Sequence, residues 1–84
     1  MVERHKRLIR IFFNTYYDDV ASELLRRLSE YGKLNYTRSK IVPELYYVEL
    51  SGVEGDLEEK TREIERMLKD YDTVFGVKVY KVET

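Results

Sequence analysis

The spacing of hydrophobic positions along this chain switches four times between period two and helical period, and each switch marks a new element. In Leu8-Ile9-Arg10-Ile11-Phe12-Phe13 the residues Ile9, Ile11 and Phe13 fall on one side and Leu8, Arg10 and Phe12 on the other, which predicts a first strand. Asn14-Thr15 breaks that run. Thr15 is the predicted helix cap, with Asp18 and Asp19 in the first turn, where carboxylates meet the positive end of the dipole. Val20, Ala21, Leu24, Leu25, Leu28 and Tyr31 then recur at helical spacing, predicting a helix over about 16–31 with Gly32 in a left-handed stop position.

Residues 34–42, rich in Tyr, Thr, Ile and Val, read as a second strand. Pro43-Glu44 turns the chain into a third strand at 45–50, and so short a connection makes the two an antiparallel hairpin. After the loop at 51–55, Asp56 is a good cap with Glu59 three residues on. Leu57, Thr61, Ile64, Leu68 and Tyr71 mark a second amphipathic helix, whose wet side carries the i,i+4 pairs Glu58/Arg62 and Glu65/Lys69. Beyond Thr73 the period returns to two. Phe75, Val77 and Val79 are expected on one side of a last strand, with Lys78, Tyr80 and Val82 on the other.

The order is therefore βαββαβ. Two helices that cross between strands of one sheet must lie on the same face to share a core. The expected architecture is α+β, a ferredoxin-like split βαβ fold with a four-stranded antiparallel sheet and both helices on one face. Eighty-four residues fit one such domain, spanning 1–84, with residues 1–6 expected to fray.

That architecture leaves one sheet face bare. With Ile9, Ile11, Phe13, Tyr46, Val48 and Leu50 turned toward the helices, the central strands present Leu8, Arg10, Phe12, Leu45, Tyr47 and Glu49 to the other side. The last strand adds Lys78, Tyr80 and Val82. Tyr36, Arg38 and Lys40 share one side of the second strand and are candidates to join this face, although the side that strand turns inward is ambiguous. The candidate contact residues are Arg10, Phe12, Tyr47, Lys78 and Tyr80. A face so aromatic, several hundred Å² in extent, is usually a contact surface. It suits pairing with a second copy through face or edge, or stacking of nucleobases with Arg10, Lys78 and Arg38 at the phosphates. A register shift of one residue at Phe12-Phe13 or Tyr46-Tyr47 would instead bury some of these rings.

Composition narrows the partners. Formal net charge is −1, so the molecule as a whole exerts no strong pull on nucleic acid or membranes. Residues 1–42 hold nine Lys/Arg against five Asp/Glu and residues 43–84 six against eleven, an asymmetry of +4 and −5 that two differently solvated helices explain most simply. There is no cysteine, hence no disulfide, thiolate or cysteine zinc site, and an intracellular, cytoplasmic chain is expected. No stretch approaches a signal peptide or a membrane span. Abundant Glu, Lys and Arg, with no Gln and two Asn, matches the habits of thermostable proteins.

The same inventory argues against chemistry. His5 is the single histidine, in a basic start where a solvated role is expected. Ser22, Ser29, Ser39 and Ser51 therefore have no histidine base, and Asp18/Asp19 and Asp70/Asp72 sit where capping accounts for them. Gly52-Val53-Glu54-Gly55 reads as a turn, because Glu54 and Asp56 would repel a phosphate. No enzyme activity, cofactor or metal is expected.

Two resemblances attach to these segments. Asp19-Val20-Ala21-Ser22-Glu23-Leu24, Tyr31-Gly32, Leu34-Asn35-Tyr36 and Val48-Glu49-Leu50-Ser51-Gly52 resemble the NIL domain, an ACT-like regulatory ferredoxin fold, although the proline usual early in that family's first helix is missing. The resemblance implies a non-catalytic module that senses amino acids or binds partners and dimerises; no ligand residue carries over. Leu45-Tyr46-Tyr47-Val48-Glu49-Leu50 is similar to the aromatic third strand of the RNA-recognition motif, with Tyr47 alone at a stacking position. Pro43-Glu44 replaces that motif's basic-glycine start, and the acidic carboxyl half works against a phosphate-rich partner. The leading expectation is a binding or regulatory module that self-associates through the open sheet face or edge as a homodimer; an RNA-binding domain and a stable scaffold without ligand are the alternatives.

Overall fold

The computed structural model describes residues 7–83. It has β1 (Arg7–Thr15), α1 (Asp18–Leu28), β2 (Lys33–Arg38), β3 (Leu45–Ser51), α2 (Leu57–Lys69) and β4 (Val74–Glu83). The strands lie in the order β2-β3-β1-β4, and every neighbouring pair is antiparallel. This is the ferredoxin-like α+β fold that the periodicities predict. The expectations about residues 1–6, His5 among them, lie outside the described residues.

One hydrophobic cluster explains why both helices lie on the same face. Ile9, Ile11 and Phe13 of β1 and Tyr46, Val48 and Leu50 of β3 pack with Leu24 and Leu28 of α1 and with Ile64 and Leu68 of α2. Most of these side chains are wholly buried. At the sheet's centre the Phe13 and Tyr46 rings stack, with centroids 5.2 Å apart and planes 9° from parallel. Asp56 caps α2 as expected, its carboxylate accepting from the Glu58 N–H at 3.0 Å. The pairs Arg62–Glu58 at 3.5 Å and Lys69–Glu65 at 3.0 Å form on the wet side, where each adds a few tenths of a kcal/mol at most (about 0.3–0.5).

Four local expectations are corrected. Thr15 does not cap α1: it remains in β1, paired with Val74 and buried, and its N–H donates to the Glu44 carbonyl at 2.9 Å. Its hydroxyl does accept from the Tyr17 N–H at 3.3 Å, but Tyr17 holds the cap position, without a side-chain bond, and the helix opens at Asp18. Gly32 is not in a left-handed conformation, since among the described residues positive φ is confined to Gly52, Gly55 and Gly76. Space is the reason for glycine there, because a Cβ would run into the Ser51 carbonyl oxygen. β2 ends at Arg38 rather than Val42. The Ser39 hydroxyl accepts from the Ile41 and Val42 N–H groups at 3.2 and 2.9 Å, which turns the chain before those β-branched residues can extend the strand. Ile41 is left 91% exposed.

The fourth correction concerns β4. Its pairing with β1 shifts by one residue between Phe12 and Asn14, so Phe12 meets Lys78 while Asn14 meets Phe75. Gly76, at φ 62°, is the extra residue of this bulge. Phe75 therefore does not share a side with Val77 and Val79; it moves to the opposite face beside Asn14.

Candidate functional site: the helix-free face of the sheet

Strand register decides what the bare face carries. Across β1 and β3, Arg10 opposes Glu49 and Phe12 opposes Tyr47; across β1 and β4, Arg10 opposes Tyr80 and Phe12 opposes Lys78. In β1 and β3 these residues alternate with buried neighbours beneath the helices, Ile11 and Phe13 in β1 and Tyr46 and Val48 in β3, and in β4 with the half-buried Val77 and Val79. The structure thus brings all five sequence-predicted contact residues, Arg10, Phe12, Tyr47, Lys78 and Tyr80, onto one continuous surface.

Their rings touch. The Phe12 centroid lies 4.9 Å from that of Tyr47 at 40° and 6.2 Å from that of Tyr80 in an edge-on arrangement at 77°. Both separations fall in the range where aromatic pairs attract. Tyr80 is 50% exposed, so the cluster stands open to water on its β4 side. There a shallow groove of about 420 Å³ runs between Arg10, Phe12, Lys78, Tyr80 and Val82.

Glu49 sets the electrostatics at the centre. It accepts a hydrogen bond from the Tyr47 hydroxyl at 2.6 Å and lies 3.9 Å from the Arg10 Nε. Desolvation of Tyr47, followed by its bond to Glu49, holds the phenol above its usual ionisation range, so at neutral pH it stays a donor. The centre of the face therefore carries one cation and one anion side by side, with rings around them.

The register of β2 removes two candidates from this surface. Tyr36 pairs with Val48 and Arg38 with Tyr46, both core residues, so these side chains belong to the helix side. There Arg38 lies over the Tyr46 ring at 5.2 Å from its centroid, pairs with Asp18 at 3.4 Å and donates from Nε to the Pro43 carbonyl at 2.5 Å. Arg38 ties the β2–β3 loop to the start of α1. Lys40 lies beyond the end of β2 and shares no strand face at all. Instead, β2 gives the open face Lys33, Asn35 and Thr37, opposite Ser51, Glu49 and Tyr47.

Two aromatics were missed by alternation alone. The bulge at Gly76 turns Phe75 to this side, 44% exposed, and Tyr16 packs on it with centroids 5.4 Å apart. The signal was present in the sequence, because a glycine inside a strand pattern marks a bulge that reverses the faces beyond it. Gly76 is doubly constrained: its φ is positive, and a Cβ would press on the Asn14 side-chain amide, which donates to the Phe75 carbonyl at 3.2 Å. Gly76→Ala is expected to lower stability by about 1–2 kcal/mol or more, read as a lower midpoint of denaturant unfolding.

A second concavity, about 580 Å³, lies on the helix side between Arg27, Tyr31, Lys60 and Glu63. Several of its polar groups are already engaged: the Tyr31 hydroxyl donates to Glu63 at 3.1 Å, Lys60 pairs with Glu63 at 3.9 Å, and Arg27 donates outside the cavity to the Tyr71 hydroxyl at 2.7 Å. A ligand would have to displace those bonds, so the aromatic face is the stronger candidate. Among the described residues no group of three or more His, Cys, Asp or Glu is placed to hold a metal ion, and no helix is long and apolar enough to cross a membrane. No protein-family model matches this sequence, and comparison with curated proteins and with solved structures gave no match, so the geometry of the face carries the functional reading.

Proposed function

We propose that this chain is a non-catalytic binding or regulatory module that works through the helix-free face of its sheet and associates there with a second copy of itself. The observation that carries this reading is the contact cluster of Phe12, Tyr47 and Tyr80, open on the side of the sheet away from both helices. Aromatic rings are the side chains most enriched at interface centres, and beside them Arg10 is paired with Glu49. The NIL and ACT-like segments described above point to the same class of module.

The face is favoured over the edges. β4 is interrupted by its bulge at Gly76 and bears Lys78 and Lys81, both devices that discourage strand-to-strand pairing. β2 is only six residues long and is bounded by Lys33 and Arg38. An RNA-binding role gains from Phe12 and Tyr47 on adjacent central strands, but Glu49 works against it. That carboxylate holds the Tyr47 hydroxyl and would confront the phosphates of any strand stacked on these rings.

Sedimentation velocity across a concentration series tests the proposal. A rise from one to two chains per particle over the micromolar range is expected. A strict monomer at high micromolar concentration, together with salt-sensitive binding of short single-stranded RNA by fluorescence anisotropy, would transfer the function to the alternative.

A further inference from the structure

The arrangement of charges on the face restricts how two copies can meet. Resting on the self-association proposed above, we infer that the dimer is isologous, with its two-fold axis parallel to the strands and midway between β1 and β3. Arg10 of each copy then faces Glu49 of the other.

The inference follows from register. Rotation about an axis along the strands exchanges strands but keeps each cross-strand row intact. With the axis between β1 and β3, β1 of one copy covers β3 of the other, and β4 covers β2. The row Asn35, Glu49, Arg10, Tyr80 then lies over its own reverse. Arg10 meets Glu49 twice, and the Tyr80 hydroxyl meets the Asn35 amide. In the next row Phe12 covers Tyr47, and the Lys78 ammonium meets the Thr37 hydroxyl. No like charges are opposed. Because Arg10 and Glu49 already lie 3.9 Å apart within one chain, the two copies form a square of alternating charges in which each has opposite neighbours on two sides.

Other axes parallel to the strands lose this match. An axis over β1 stacks Arg10 on Arg10, and an axis over β3 stacks Glu49 on Glu49, arrangements that cost several kcal/mol (about that much for opposed like charges). Twist is no obstacle, since face-packed sheets keep their strand directions within about 30° of each other. Size is compatible as well. Four strands about 4.8 Å apart and seven residues long offer roughly 450 Å² of projected face per copy, which side-chain relief raises toward the lower range of stable interfaces.

Charge reversal tests the arrangement, and mixing makes the test specific. Arg10→Glu and Glu49→Arg are each expected to weaken self-association by about tenfold or more, because each opposes two like pairs across the axis. Circular dichroism should show both variants folded, as both side chains reach solvent in the single chain (46% and 36% exposed). An equimolar mixture of the two is expected to sediment as a heterodimer at concentrations where each alone is monomeric. The double variant Arg10→Glu/Glu49→Arg should recover the homodimer. A dimeric wild type whose association ignores both reversals, or whose reversed variants fail to combine, overturns this axis while leaving self-association intact. A monomeric wild type overturns the underlying reading and this inference with it.

Discussion

Phe13→Ala is expected to remove about 3–5 kcal/mol of stability, the loss usual for a large aromatic taken from a closed core. The Phe13 ring is wholly buried and stacked on Tyr46 beneath the helices. For a domain of 84 residues, total stability is about 4–12 kcal/mol, so the change leaves a marginal fold or none. Urea unfolding followed by circular dichroism measures it. The adjacent ring gives the internal control. Phe12→Ala, on the other side of the same strand, loses a half-buried ring and its contacts with Tyr47 and Tyr80, each contact adding about 0.5–1.5 kcal/mol beyond the area buried, with no closed cavity left behind. Equal losses at the two positions would mean that both rings are core, and that the helix-free face is not a surface at all.

The second large effect is on association. Phe12→Lys, or Tyr47→Lys, is expected to weaken the dimer by about a hundredfold or more while leaving a folded monomer. A lysine tolerates water at an open strand position, but in the assembly its ammonium would lose that water among the rings. At position 12 it would also stand between Arg10 and Lys78, gathering three cations on one patch. Sedimentation equilibrium reads the loss, and an unfolding midpoint lowered no further than by the matching alanine variant distinguishes it from a folding defect. Unfolding of either variant, in place of dissociation, would place that ring in the core.

Much of this was legible in the sequence, for identifiable physical reasons. Helix periodicity located α1 and α2 because their apolar stripes face a single sheet, and alternation in β1 and β3 assigned Phe12 and Tyr47 to the side opposite Phe13 and Tyr46. Those strands are central and paired on both sides, so burial enforces strict alternation on them. At the sheet edges that rule weakens. β2, with five of its six residues exposed, has no buried pattern to fix its phase, and Tyr36 and Arg38 face the helices although composition alone allowed either side. In β4 the phase reverses at Gly76, which hid Phe75 and Tyr16 from the predicted face. Element ends were obscured by hydrogen bonds that composition does not announce. The Ser39 hydroxyl stopped β2 early, and the pairing of Thr15 with Val74 kept β1 going.

The most direct test of the helix-free face as the working surface is a concentration series of amide spectra from the ¹⁵N-labelled chain, recorded by nuclear magnetic resonance. Resonances of Arg10–Phe12, Tyr47–Glu49 and Lys78–Tyr80 are expected to move together as concentration rises, while those of α1 and α2 stay fixed. Shifts confined to the helices or to the outer edges of the sheet, or a spectrum unchanged to millimolar concentration, would contradict it.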